Sequence, residues 1–311
     1  MPSIFSSIPE DIVHRILARL PKCYHPMIRG LSKEFGHLIR SPEIEKIRAR
    51  LSKDSMYLYS EYTPSVMVAV GPEIFWISRG SSPQSVMSVF DSRTGKVRKG
   101  PSSTAPRCVR CAAAVERKVY VIGVNPKDEE GVYVEAFDVK TQTWECGPVP
   151  EENVEGRCGV ALDRMVCALS STLEDIPNCY NTRDGSCDFI KMAKEDSWGS
   201  TGACVIHNIL YVYYAEMGLA WYDTKDKIWR KVSNLDPLNK LKSVALGDYY
   251  GKLALLWEKE SEGCGDTKEV WCQMIGLARI EGAVRGTAET SHLLGSIPRD
   301  YRLQECLSVC A

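Results

Sequence analysis

The chain has 311 residues, 39 Lys and Arg against 40 Asp and Glu for a formal net charge of −1, and 44% hydrophobic residues. Near-zero charge excludes a chain that wraps nucleic acid by bulk charge, and the hydrophobic share excludes wholesale disorder. The length admits one large domain or a small module ahead of a larger one.

Residues 1–12 hold Pro2, Pro9, Glu10 and Asp11 and lack the basic start and apolar core of a secretory signal. A reducing compartment, cytoplasmic or nuclear, is therefore expected, with the 13 cysteines as thiols. No apolar run reaches the ~20 residues of a membrane span; residues 208–222 come nearest and contain Glu216. Cys108 and Cys111 form the one close CxxC, and no second pair completes a four-thiolate zinc site, so no metal or cofactor is expected.

Ser7, Ile8, Pro9 and Glu10 spell a capping box with Pro in the first turn, which predicts a helix start. Apolar residues then recur at Ile8, Ile12, Val13, Ile16, Leu17 and Leu20, the stripe of an amphipathic helix that Pro21 stops. Met27, Ile28 and Leu31 give a short second apolar face. Ser32 is placed to cap a helix bearing Phe35, Leu38 and Ile39, and Ser41-Pro42 ends it before another stretch with Ile44, Ile47 and Leu51. Roughly fifty residues bury little core alone, so this apolar surface is expected to await a partner or to pack on the downstream domain.

The segments Ile8-Pro9-Glu10-Asp11-Ile12-Val13, Ile16-Leu17-Ala18-Arg19-Leu20-Pro21 and Leu31-Ser32-Lys33-Glu34-Phe35 together resemble an F-box. The resemblance implies a short helical module that docks on a Skp-type adaptor of a cullin-RING ubiquitin ligase. Carried onto this chain, the adaptor contacts are Ile8, Pro9, Ile12, Ile16, Leu20, Pro21 and Leu31.

From Met56 the pattern changes to short alternating or apolar runs broken by Gly, Pro, Ser and Asn, which predicts strands. Phe90-Asp91, Phe137-Asp138, Tyr180-Asn181 and Tyr222-Asp223 each precede a basic or polar turn, at steps of 47, 43 and 42 residues. The turn chemistry is that of a hairpin: an aromatic ends one strand and the Asx side chain accepts from a backbone N–H two residues on. The residue six beyond the Asx, Trp144 and Trp229 in two copies, is expected to pack between layers. A preceding apolar strand recurs around Phe75, Tyr120, Cys167, Tyr211 and Ala254, at steps of 45, 47, 44 and 43. Two elements on one period predict a repeated unit the size of a four-stranded propeller blade.

The fifth copy lacks the aromatic-Asx turn, takes its third strand from residues 270–275, and carries an acidic loop over residues 258–269. Residues 303–309 are expected to pair with residues 56–59 to close the ring through a reduced blade. The order of these elements resembles kelch repeats, and the chain as a whole resembles plant proteins that join an F-box to kelch repeats. The expected class is α+β multidomain: a helical F-box over residues 1–51, then an all-β kelch-type propeller of five to six blades over residues 52–311. The resemblance implies a non-catalytic substrate receptor of an SCF-type ligase, with an adaptor and an unknown protein substrate as partners and no nucleic acid or membrane.

The alternative is a propeller enzyme or small-ligand binder with the helices as a packing module. Against it, His207 and His292 are the only histidines beyond residue 37, and no nucleophile elbow, phosphate loop or zinc helix occurs. Propeller binding surfaces are built from loops between strands, such as residues 80–85, 125–131, 170–178 and 258–267 here, and these carry no recognition code that names a substrate.

Overall fold

The computed structural model describes residues 9–19, 33–51, 54–61, 65–79, 87–103, 108–125, 128–152, 154, 158–169, 178–190, 202–235, 241–261 and 266–310. Three helices come first: α1 (Glu10–Arg19), α2 (Lys33–Ile39) and α3 (Pro42–Leu51). Ile12 and Val13 donate backbone N–H groups to Pro9 O, so Pro9 stands at the cap and the helix proper begins at Glu10, two residues later than the Ser7–Glu10 capping box implied. Ser41 caps α3, its hydroxyl accepting from Glu43 N at 3.2 Å. Val13, Leu17 and Ala18 of α1 pack with Ile39 and Ile44, flanked by Phe35, Leu38 and Ile47, into a small closed core. Arg48, 1% exposed, donates from Nη1 to Ala18 O at 3.0 Å and so satisfies a carbonyl at the end of α1.

The rest is strand. β1 (Asp54–Glu61) opens the array. Blade 1 holds β2 (Ser65–Val70), β3 (Glu73–Ser78), β4 (Met87–Asp91) and β5 (Lys96–Lys99). Blade 2 holds β6 (Cys108–Val115), β7 (Lys118–Asn125), β8 (Asp128–Asp138) and β9 (Thr143–Cys146). Blade 3 holds β10 (Cys158–Leu162), β11 (Met165–Leu169), β12 (Cys179–Asn181) and β13 (Cys187–Asp188). Blade 4 holds β14 (Ala203–Ile206), β15 (Ile209–Tyr214), β16 (Gly218–Asp223) and β17 (Ile228–Lys231). Blade 5 holds β18 (Lys242–Tyr249), β19 (Lys252–Glu260), β20 (Thr267–Ile280), β21 (Ala283–Ala288) and β22 (His292–Pro298), and β23 (Arg302–Cys310) ends the chain.

Each blade is antiparallel in chain order, and β1 pairs with β23 in a sixth, two-stranded sheet. Met56 opposes Ser308 and Tyr59 opposes Glu305, the closure expected from the sequence. The innermost strands β2, β6, β10, β14, β18 and β23 touch in a closed circuit.

Apolar clusters fill the spaces between neighbouring sheets all the way round. Phe75, Val89 and Phe137 join blades 1 and 2. Ile122, Val166 and Tyr180 join blades 2 and 3, and Leu169, Leu210 and Tyr214 join blades 3 and 4. Tyr213, Trp221 and Leu255 join blades 4 and 5. Leu256, Leu303 and Cys306 join blade 5 to the closing sheet, and Met67, Ile74 and Val309 join that sheet to blade 1. Stability thus resides in faces shared by neighbours, as repeat architectures require. Close approach of the inner strands demands glycine in places: a Cβ on Gly159 would collide with the Ala112 carbonyl of the adjacent blade.

The repeated hairpin forms as its sequence dictates. Asp91, Asp138, Asn181 and Asp223 accept through Oδ1 from the N–H two residues on, at 3.0, 2.8, 3.0 and 3.1 Å. Trp144 and Trp229 pack at blade interfaces against Phe137 and Tyr222, ring centroids 5.2 Å apart in both pairs. In blade 5 Gly276 continues the strand where the others turn, and β20 runs on to Ile280.

Two expectations need correction. The acidic stretch of residues 258–269 is strand at both ends: β19 and β20 pair out to Glu260 and Lys268, because Lys268 neutralises the stretch from within. Its Nζ donates to Glu258 Oε2 at 2.8 Å and to Tyr301 O at 2.6 Å, while Glu258 Oε1 accepts from Leu303 N at 2.6 Å. This buried pair latches blade 5 to the closing strand. The cysteines are also not all thiols: Cys167 and Cys179, directly opposite across β11 and β12, are joined as a disulfide. A cysteine census counts residues and is blind to strand register, which is what sets these two face to face.

Candidate functional site

The helical module divides the stripe that the sequence presented as one face. Val13 and Leu17 point into the core, whereas Ile12 and Ile16, one turn apart, are 38% and 44% exposed. Pro9, Asp11 and Arg15 are exposed beside them. Asp11 and Arg15 pair at 3.9 Å across one turn. A core that buries Val13 and Leu17 and leaves two isoleucines exposed on the same helix is what a docking surface requires, since their burial waits on a second protein. Of the expected adaptor contacts, Pro9, Ile12 and Ile16 come together here, and Ile8, Leu20, Pro21 and Leu31 lie outside the described residues.

His14, 8% exposed behind this surface, lies 3.2 Å from the Ser41 hydroxyl. It thereby ties α1 to the cap of α3. Neither His14 nor Arg48 was singled out as structural in the sequence. Their signal is a polar residue within an apolar stripe, legible once the stripe is known to be two-sided.

The propeller has two unlike faces. The first and second strands of every blade are joined by two residues: 71–72, 116–117, 163–164, 207–208 and 250–251. Asp163, Arg164, His207, Asn208, Tyr250 and Gly251 all have positive φ, the conformation of tight hairpin turns. These turns share one face, because Asn208 Oδ1 accepts from Asp163 N at 3.0 Å and Glu116 pairs with Arg164 at 3.5 Å from blade to blade. The longer connections open on the opposite face, where binding loops have room to vary. Of the inter-strand loops read from the sequence, residues 80–85 and 170–177 lie outside the described residues. The segments at 125–131 and 258–267 are shortened by strands reaching Asn125, Asp128, Glu260 and Thr267.

Among the described residues no group of three or more His, Cys, Asp or Glu is placed to hold a metal ion. Burial pushes the thiols of Cys111 and Cys158 up to about 12, far from a reactive thiolate at neutral pH. Both pack as small apolar residues at blade interfaces. Near them Glu305 is pushed up to about 7 by burial, opposed by Arg79 and by the N–H of Met67. No helix among the described residues is long and apolar enough to cross a membrane.

The family model for the FKB95 Kelch-repeats domain matches residues 39–294, and that for the F-box domain matches residues 5–47. The chain belongs to the F-box/kelch-repeat family. The F-box/kelch-repeat protein At2g44700 of Arabidopsis thaliana is 41% identical over 346 residues, covering 98% of this chain and 92% of the relative. The Arabidopsis protein At2g44630 is 39% identical over 357 residues, with 99% and 94% covered. Both alignments run longer than this 311-residue chain, so these F-box/kelch relatives carry residues without counterpart here. The combination of an F-box with kelch repeats is that of a substrate-adaptor protein.

Proposed function

We propose that this chain is the substrate-recognition subunit of an SCF-type cullin-RING ubiquitin ligase, divided into a docking module of residues 1–51 and a capturing propeller of residues 52–311. Pro9, Ile12 and Ile16, with Ile8, Leu20, Pro21 and Leu31 beside them in sequence, dock the Skp-type adaptor. The propeller binds the protein to be ubiquitinated. The observation that carries this reading is the exposure of Ile12 and Ile16 on a helix whose other apolar residues already form a closed core.

The mechanism is positional: tethering raises the effective concentration of a substrate lysine beside the ubiquitin-conjugating enzyme, and the chain itself makes or breaks no bond. The compartment this assigns is cytoplasmic or nuclear. Co-precipitation of full-length protein with the adaptor tests the reading. Ile12→Asp and Ile16→Asp leave thermal stability near wild type, because both side chains already meet water, and each weakens capture by about tenfold or more. Undiminished capture by the double variant refutes it.

A further inference from the structure

Among the described residues the closing sheet is two strands deep, where every other sector of the ring holds four or five. Its inner strand β23 fills its place between β18 and β2. Among the described residues nothing pairs with the outer edge of β1. That edge is 8 residues long, against 4 in each of the outer strands β5, β9 and β17.

The neighbouring walls are less deeply buried than their counterparts in the other blades. In blades 2, 3 and 4 the aromatic near the end of the third strand, Phe137, Tyr180 or Tyr222, is buried between blades. Its counterpart Phe90 faces the closing sheet and is only partly buried. Val97, opposite Phe90, is 60% exposed at the position where Trp144 and Trp229 pack. Lys99, on the same wall, is exposed and forms no ion pair among the described residues. On the blade 5 side Met274 and Ile297 are only partly buried.

This edge also lacks the proline guards that the outer edges of blades 1, 2 and 5 carry. Gly100 N donates to Met87 O and Gly147 N to Val134 O, which places Pro101 and Pro148 where the next N–H would point off the sheet. Arg299 N donates to Asp266 O, which gives Pro298 the same role on β22. Such prolines block strand addition. Asp54–Glu61 contains no proline.

We propose that the sixth sector binds an extended segment of another protein as its missing third strand, added antiparallel to β1 between Phe90 and Val97 on one side and Met274 and Ile297 on the other. The repeat specifies the occupant's chemistry. The third strands of blades 1 to 4 are apolar and close on Phe or Tyr followed by Asp or Asn, so the segment carries that pattern, with an acidic residue near its start to meet Lys99. Main-chain hydrogen bonds supply affinity and the alternating side chains supply specificity. The proposal rests on the receptor reading only in naming the occupant as a captured protein.

The test uses the full chain without adaptor, so a failure of adaptor docking leaves its result intact. The probe is a fluorescent peptide with the sequence of residues 130–146 and Cys146→Ser, which holds the aromatic-Asx strand, its turn and Glu130 at the start. Saturable binding by anisotropy is expected, with slowed amide exchange across residues 54–61. Val97→Asp and Lys99→Glu, both at exposed positions, weaken it about tenfold or more, and Ile228→Asp on the outer strand of blade 4 does not. No saturable binding, or equal binding by the Val97→Asp and Ile228→Asp proteins, overturns the proposal. A wild-type dimer that Val97→Asp dissolves also overturns it, by assigning the sector to a second copy.

Discussion

Glu258→Gln tests the latch that closes the ring. The side chains of Glu258 and Lys268 are 8% and 10% exposed, and each has a second bond to the segment entering β23. Removing one charge leaves the other buried without its counter-ion, a loss of about 3 kcal/mol at the low end for such pairs, since Gln keeps an oxygen for Leu303 N. For a domain of this size that lowers Tm by about 6–12 °C. Lys268→Met is expected to cost a similar amount. The double variant, freed of both buried charges, is expected to lose only about 1 kcal/mol, because the desolvation penalty disappears with the attraction. Urea unfolding of the four proteins, with amide exchange across residues 302–310, reads both the energy and its location. Single changes costing under about 1 kcal/mol, or a double variant equal to the sum of the singles, refute the reasoning.

Asp138 accepts from Lys140 N and Thr141 N, and the Thr141 bond foremost holds its carboxyl below the usual 3.8. Asp138→Ala is expected to cost about 1–2 kcal/mol in urea unfolding, and Asp138→Asn much less, as Asn181 performs the same task in blade 3. The charge's contribution is present above the unfolded value and lost as pH falls through the depressed one. Glu305 behaves oppositely: its raised pKa makes the folded protein hold the proton more tightly, so stability falls as pH rises from 4.5 to about 7. Glu305→Gln is expected to unfold at higher denaturant than wild type at pH 8, by on the order of 2 kcal/mol, and to match it at pH 4.5. A wild-type advantage at pH 8 contradicts this account.

The hairpin repeat was legible because its information is local: an aromatic, an Asx and a turn within eight residues determine their own hydrogen bonds. The closure was legible too, since residues 303–309 and 56–59 were apolar strands left over once the blades were placed. The latch was not, because an acidic stretch reads as solvated loop until Lys268 is known to lie opposite Glu260, turned inward toward Tyr301 and Leu303. The docking stripe was half legible. Spacing places Ile12, Val13, Ile16 and Leu17 on one broad face, but only the packing of α2 and α3 decides that Val13 and Leu17 go inside. The Gly-Pro pairs at 100–101 and 147–148 recur at the same step as Asp91 and Asp138 and mark the ends of outer strands, a signal present in the sequence but unused.

The pairing of β1 with β23 sets a timetable for synthesis. The first strand of the propeller leaves the ribosome immediately after α3, whereas its partner is made roughly 240 residues later, about 12–50 s at ordinary elongation rates. Through that interval blades 1 to 5 can stack one after another, each on the last, while β1 stays single. Newborn chains therefore pass through an open arc with a bare strand at its leading end. The step that turns the arc into a ring waits until β23 has been made.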